Sequence, residues 1–219
     1  MDARDLELDY SEVYRYLGYR KGIPEGKVRE VVERCVAELV EQAELRSVAR
    51  RFPLRFLGDN RFLIGDMELE SRALSRNLRG CDEAYLMAAT IGFAMDRLAA
   101  RASAIGRMSR AVIYQAAGGM LIESYCDALN RKLKEEMAAE GRFLRPRFSP
   151  GYGDLPLAVQ PEFFRVLEVQ KHTGITLTES LLMMPTKSVT ALIGVSPEDS
   201  HCVLQGCESC HKTNCNFRR

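Results

Sequence analysis

Apolar residues recur along this chain at two periods, and the switches between them divide it into elements. Tyr10 to Leu17 reads as a short helix ended by Gly18, and Gly22 to Gly26 as a turn. From Lys27 to Leu45, Val28, Val31, Val32, Cys35, Val36, Leu39, Val40 and Ala43 keep helical spacing, which predicts an amphipathic helix with a solvated Glu and Arg face. Between Val48 and Leu69 the apolar pieces shorten. Phe52-Pro53-Leu54 and Arg61 to Gly65 read as strands around a hairpin-like turn at Gly58-Asp59-Asn60.

Leu69 to Leu78 is expected to be a short helix stopped by Gly80. The continuous apolar run Ala84 to Ile91, ending at Gly92 and followed by a helical pattern from Phe93 to Ala102, reads as a buried strand turning into a helix. A second long helix is predicted from about Ser109 to Ala138, with Val112, Gln115, Gly119, Ile122, Cys126, Leu129 and Leu133 on one face. Gly118 and Gly119 sit inside it, where each costs about 1 kcal/mol relative to Ala, so another element or a ligand is expected to approach there. Pro161 suits the first turn of a helix running to Lys171 and closed by Gly174. Thr178 can cap a short following turn that ties in Glu179, Met183 and Met184 read as core filling, and Ser188 to Val195 as a strand. The expected class is α+β: one domain over residues 1–197, with long helices on a mixed or antiparallel sheet, then a Cys-rich tail over 198–219.

Composition narrows the functions. The 219 residues are 46% apolar and 28% charged, and 31 Lys and Arg against 30 Asp and Glu leave a formal net charge of +1, with no basic block to suggest nucleic acid. No apolar run approaches the roughly 20 residues of a membrane helix, and the charged Met1-Asp2-Ala3-Arg4-Asp5 start does not resemble a secretory leader. A cytoplasmic protein is expected. Cys35, Cys81 and Cys126 lie among apolar neighbours and read as small buried hydrophobes.

The candidate chemistry begins at Arg147-Phe148-Ser149-Pro150-Gly151-Tyr152-Gly153-Asp154. Pro150 restricts Ser149 to extended geometry, and Gly151 and Gly153 permit positive φ and leave backbone uncovered for a polar ligand. Arg147 adds a planar donor fork suited to a carboxylate or phosphate, and Tyr152 a ring with a hydroxyl. An ordinary surface turn has the same composition. Glu123 lies four residues beyond Gly119, near the apolar stripe of its helix, where it also suits a boundary ion pair with Arg.

The order of these pieces carries more than their composition. Arg147-x-x-Pro-Gly-Tyr, a short helix, Gly174-Ile175-Thr176-Leu177-Thr178-Glu179-Ser180, then Met184-Pro185 and Ser188-Val189 resemble the activation domain of cobalamin-dependent methionine synthase. The resemblance implies an S-adenosylmethionine site lined by Arg147, Ser149, Gly151 and Tyr152, with Leu121-Ile122-Glu123 in the place of an acidic contact on the long helix. Arg147 would fork onto the carboxylate of the ligand, Glu123 would balance its positive groups, and Thr178-Glu179-Ser180 would be scaffold. It implies reductive reactivation: cobalamin in the Co(II) state takes one electron, from a donor such as flavodoxin or ferredoxin, and is trapped by a methyl group. No Asp-x-His-x-x-Gly cobalamin signature is present, so the cobalamin must arrive on a methionine synthase or another corrinoid protein. The family's later tyrosine falls near His201 here.

No side chain stands out as an acid, base or nucleophile, and methyl transfer from a sulfonium needs positioning more than proton transfer. Two other classes remain. One is a non-catalytic module that binds a corrinoid protein or a metal; the other, an unrelated methyltransferase, lacks its Gly-x-Gly-x-Gly loop.

The tail holds Cys202, Cys207, Cys210 and Cys215, spaced Cys-x4-Cys-x2-Cys-x4-Cys. Four thiolates so close can converge on a structural zinc ion or an iron–sulfur cluster, or stay free, with His211 as a spare zinc ligand. Cys207-Glu208-Ser209-Cys210-His211 also matches a haem c attachment signal, which normally requires export.

Overall fold

In the computed structural model, residues 1–19, 24 and 26–199 are described. The main sheet is built from β1 (Arg46–Phe56), β2 (Arg61–Ile64), β3 (Met67–Glu70), β4 (Glu83–Thr90), β5 (Phe143–Leu144) and β8 (Ser188–Ser196). These six strands run in the order β3-β2-β1-β4-β8-β5, each antiparallel to its neighbours, and the sheet lies between two layers. A separate small ribbon pairs β6 (Thr176–Leu177) with β7 (Met183–Met184).

Strand β4 explains how the continuous apolar run fits an antiparallel sheet. Tyr85, Met87 and Ala89 point into one cluster, while Ala84, Leu86 and Ala88 point into another on the opposite face. Its neighbour β8 divides in the same way, with Ala191, Ile193 and Val195 on the first side and Leu192 on the second. Both central strands are therefore covered twice, and no polar face remains to give an alternating pattern.

The first face is covered by α1 (Tyr10–Tyr16), α2 (Lys27–Gln42), α4 (Ala94–Ala104) and the long α5 (Met108–Ala139), through residues such as Val13, Leu39, Met95 and Leu121. The second is covered by α3 (Arg72–Asn77), α6 (Gln160–Leu167) and α7 (Val169–Thr173), together with the β2–β3 hairpin, through Leu74, Phe163, Val169 and Phe62. No helix among the described residues is long and apolar enough to cross a membrane.

Four boundaries differ from the pattern. The helix expected from Leu69 begins at Arg72, because Leu69 lies in β3 and pairs with Phe62. Helix α2 stops at Gln42, and Leu45 belongs to the approach to β1. The strand expected at Phe52-Pro53-Leu54 is longer, Arg46–Phe56, and changes partners: Arg46 to Pro53 pair with β4, and Leu54 to Phe56 pair with β2. Pro53, which has no N–H to give, stands at the handover. The single helix expected from Pro161 to Lys171 breaks at Glu168, whose φ of 49° and ψ of 45° are left-handed. The turn expected at Gly22 to Gly26 lies largely outside the described residues, as do His201, His211 and the four tail cysteines.

The mid-helix glycines of α5 have a steric cause. A Cβ on Gly118 would come within 2.7 Å of Met95 Cγ and 3.0 Å of Lys187 Cγ, whereas one on Gly119 would meet the Tyr16 ring at an ordinary 3.4 Å. Gly118 therefore lets α4 and the start of β8 close on α5.

Candidate functional site

The chain leaves β5 along the edge of β8, and a local irregularity there decides where Arg147 points. Arg145 N–H donates to Gly194 C=O at 2.8 Å, and the next ladder bonds join Phe148 with Leu192, at 2.8 and 2.7 Å. Three steps on one strand thus oppose two on the other, which is a β-bulge. Pro146 fits at this edge because a bulge needs no N–H from it. The extra residue leaves Arg145 and Phe148 on the side of the second cluster: a Cβ on Gly194 would meet Arg145 Cγ at 3.1 Å, and Phe148 is buried in that cluster. Arg147 is turned the other way, onto α5.

There it meets two carboxylates one helical turn apart. Arg147 Nη2 lies 3.2 Å from Glu123 Oε2, and Nη1 lies 2.8 Å from Asp127 Oδ1. Glu123 and Asp127 share a face because their spacing of four returns to the same side of a helix. The Arg147 side chain is only 20% exposed, against 42% for Glu123 and 62% for Asp127, so the cation sits at the bottom and the carboxylates at the rim. One guanidinium between two carboxylates leaves the trio with one net negative charge at neutral pH. Beneath it, burial pushes the Cys126 thiol up to about 12, with Arg147 opposing and Glu123 and Asp127 adding to the shift. Cys126 is a neutral packing residue, as its apolar neighbours predict.

The loop beyond Arg147 is shaped by its own backbone. Tyr152 N–H donates to Ser149 C=O at 3.1 Å, Leu155 N–H to Tyr152 C=O at 3.1 Å, and Gly151 N–H to Leu155 C=O at 2.9 Å. Gly151 and Gly153 take φ of 85° and 58°, as the sequence anticipates. The Gly151 N–H is thus committed to the turn, while the Ser149 carbonyl keeps a second lone pair for a ligand. Tyr152 is exposed and stands edge-on to Phe148, with ring centroids 5.5 Å apart and planes at 88°. Glu123, Arg147, Ser149, Gly151 and Tyr152 therefore lie along one stretch of α5 and the loop beside it.

Two acids of the site escape the sequence reading. Asp127 carried a usable signal, its spacing of four from Glu123. Asp154 carried none, since its partners are some eighty positions earlier: it accepts from Ser71 Oγ, Arg72 N–H at 2.8 Å and Ala73 N–H at 3.0 Å. These bonds hold the Asp154 carboxyl below the usual carboxylate range, the Ser71 hydroxyl foremost. They also fix the loop to the start of α3, where a Cβ on Gly153 would come within 3.0 Å of Ala73 Cβ. Thr178 behaves as expected of a capping residue, its hydroxyl accepting from Leu182 N–H at 3.1 Å and lying 3.0 Å from Ser180 Oγ. Glu179 is exposed on that turn.

The family model of the vitamin B12 dependent methionine synthase activation domain matches residues 77–209, more than half of the chain, including α5 and the loop from Arg147 to Asp154. The chain belongs to that family. Among solved structures, the MetH reactivation domain bound to AdoHcy has the same fold, with a TM-score of 0.69 at 20% identity over 92% of this chain and 78% of that one. A search of curated proteins found no significant match. Membership places the Arg147 loop and the β8 strand of this chain inside an activation domain, as their order in the sequence implies. No group of three or more metal-binding side chains occurs among the described residues.

Proposed function

We propose that this chain binds S-adenosylmethionine between α5 and the loop from Arg147 to Gly153, and supports the reductive methylation of Co(II) cobalamin carried by a methionine synthase or another corrinoid protein. The observation that carries the reading is the charge balance of the Arg147 trio. S-adenosylmethionine has one carboxylate, one ammonium and one sulfonium, a net charge of +1, and the trio offers one deep cation between two rim carboxylates. The ligand carboxylate takes a guanidinium edge, and its ammonium and sulfonium take over the oxygens of Glu123 and Asp127. Ser149 C=O and the Tyr152 ring then meet the rest of the ligand. The MetH reactivation domain is bound to AdoHcy, which is in keeping with this use of the fold.

In this reading the chain positions the methyl donor and the partner brings the metal. One electron, from a donor such as flavodoxin or ferredoxin, reduces cobalt, the C–S bond of S-adenosylmethionine breaks, and its methyl group joins cobalt. The protein's part is proximity and electrostatics, since methyl transfer from a sulfonium needs no proton transfer from Glu123 or Asp127. The setting is the cytoplasm, and the chain acts as a component of methionine synthesis that is incomplete alone.

The test has two stages. Calorimetric titration with S-adenosylmethionine reads the site by itself, and absence of binding overturns the proposal. Incubation with a corrinoid-loaded protein, an electron donor and methyl-labelled S-adenosylmethionine should then move label onto cobalt.

A further inference from the structure

We propose that the nucleoside of S-adenosylmethionine lies over Gly119 and stacks on the ring of Tyr16, which makes α1 a third wall of the site beside α5 and the Arg147 loop. This rests on the reading of the site given above and names the residues that recognise the adenine.

On α5, Gly119, Glu123, Asp127 and Arg131 are each four residues apart and form one ridge. The N-terminal segment runs along that ridge in the antiparallel sense. Glu7 Oε2 accepts from Arg131 Nη1 at 2.6 Å at one end, and the Tyr16 ring meets position 119 at the other, where a Cβ would lie 3.4 Å from Tyr16 Cε2. Glu123 and Asp127, with Arg147 bonded to both, fall between these two contacts. Helix α1 precedes residue 77, where the family match begins, so membership does not assign this wall.

The two ends of the ridge differ chemically, and the difference sets the direction of the ligand. Beyond Asp127 lies the Arg131–Glu7 ion pair, charged and solvated. Beyond Glu123 lies the bare backbone of Gly119, one helical turn or about 6 Å away, which leaves room for a ribose between a sulfonium at Glu123 and a base at Tyr16. Gly118 is crowded by Met95 and Lys187, whereas a methyl at Gly119 would meet its nearest neighbour among the described residues at an ordinary distance. A poor helix former without an internal steric cause is what a ligand lying on the helix requires. The Tyr16 ring is 38% exposed, with its edge on position 119 and the Arg15 guanidinium carbon 4.6 Å from its centroid. Arg15 is itself paired with Glu12, so the ring is oriented before a base arrives. A fixed, partly exposed aromatic ring beside uncovered backbone is a stacking platform for a purine.

Calorimetric titration of the full chain with S-adenosylmethionine, combined with thermal melts, tests this on three variants. Tyr16→Leu keeps an apolar contact with α5 but has no flat ring. Its affinity should fall roughly five- to tenfold with Tm little changed, and the hypochromism of the bound adenine should disappear. Tyr16→Phe should restore both. Gly119→Ala should move the readouts in opposite directions, raising Tm while weakening S-adenosylmethionine roughly two- to fivefold, because its methyl takes space the ligand uses. A Tyr16 that only packs α1 would show as a joint fall of Tm and affinity in Tyr16→Leu, with binding to Gly119→Ala unchanged; that result, or unchanged affinity in both variants, would overturn the proposal. Wild-type protein that fails to bind S-adenosylmethionine would instead overturn the reading of the site itself, so the two failures are separate results.

Discussion

Asp127 Oδ1 lies 2.8 Å from Arg147 Nη1, closer than the 3.2 Å between Glu123 Oε2 and Nη2 of the same guanidinium. The second carboxylate is what makes the trio net negative, and in the proposed site it would favour the sulfonium ligand over its thioether product. Asp127→Asn brings the trio to zero charge without changing its shape. Because Asp127 is largely exposed, the effect is modest: the dissociation constant for S-adenosylmethionine should rise roughly two- to fivefold, and that for S-adenosylhomocysteine should change less. Titration of both ligands against both proteins checks this. An equal loss for both would assign Asp127 to holding Arg147 in place.

Arg147→Ala removes the only cation of the trio and leaves two carboxylates beside each other and beside the ligand carboxylate. Binding of S-adenosylmethionine should weaken by about 2 to 5 kcal/mol. Tyr152→Ala removes a ring contact alone and should cost about 1 kcal/mol. Calorimetry on the two variants should rank them in that order, and equal losses would displace Arg147 from the centre of the site.

The two adjacent glycines of α5 should respond in opposite directions. Gly119→Ala adds a methyl at ordinary contact distance from Tyr16 and relieves the helix of a poor former, so it should stabilise by up to about 1 kcal/mol. Gly118→Ala gains the same propensity but drives its methyl to within 2.7 Å of buried Met95, so the net effect should be a loss of about 1 to 2 kcal/mol. Thermal melts of the two variants, compared with the wild type, check the signs.

Those glycines also show what the sequence could reveal. Their mid-helix position told that something approached, but not that Gly118 receives Met95 and Lys187 while Gly119 faces Tyr16, since those contacts join distant segments. Periodicity placed α2, α4, α5, β4 and β8 because their apolar faces are long. It missed the break at Glu168, where a left-handed residue interrupts an apolar pattern without altering it. The loop from Arg147 to Tyr152 was legible because proline and glycine announce its backbone. The bulge that turns Arg147 onto α5 was not, because it is a mismatch of register with β8 some forty residues later.

Asp154 offers the last prediction, since it ties this loop to α3 through its charge. Asp154→Asn keeps one acceptor oxygen but puts an NH2 group where the second oxygen receives a backbone N–H, so donor faces donor at Arg72 or Ala73. The loss should be about 1 kcal/mol, comparable to removing a helix cap, which in a domain of this size lowers Tm by about 2 to 4 °C. The pH dependence fixes the cause. The folded-state pKa of Asp154 is lowered, so its contribution is complete above the pKa of the unfolded carboxyl and disappears as pH falls through the lower folded value. Melting curves of wild type and Asp154→Asn should therefore stay apart from neutral pH down to about pH 5, then converge in acid. S-adenosylmethionine affinity of the variant should fall at neutral pH as well, because Tyr152 and Gly153 lose the anchor that sets their place beside Arg147. A gap in Tm that persists unchanged into acid would mean that shape alone, and not the carboxylate charge, holds the loop.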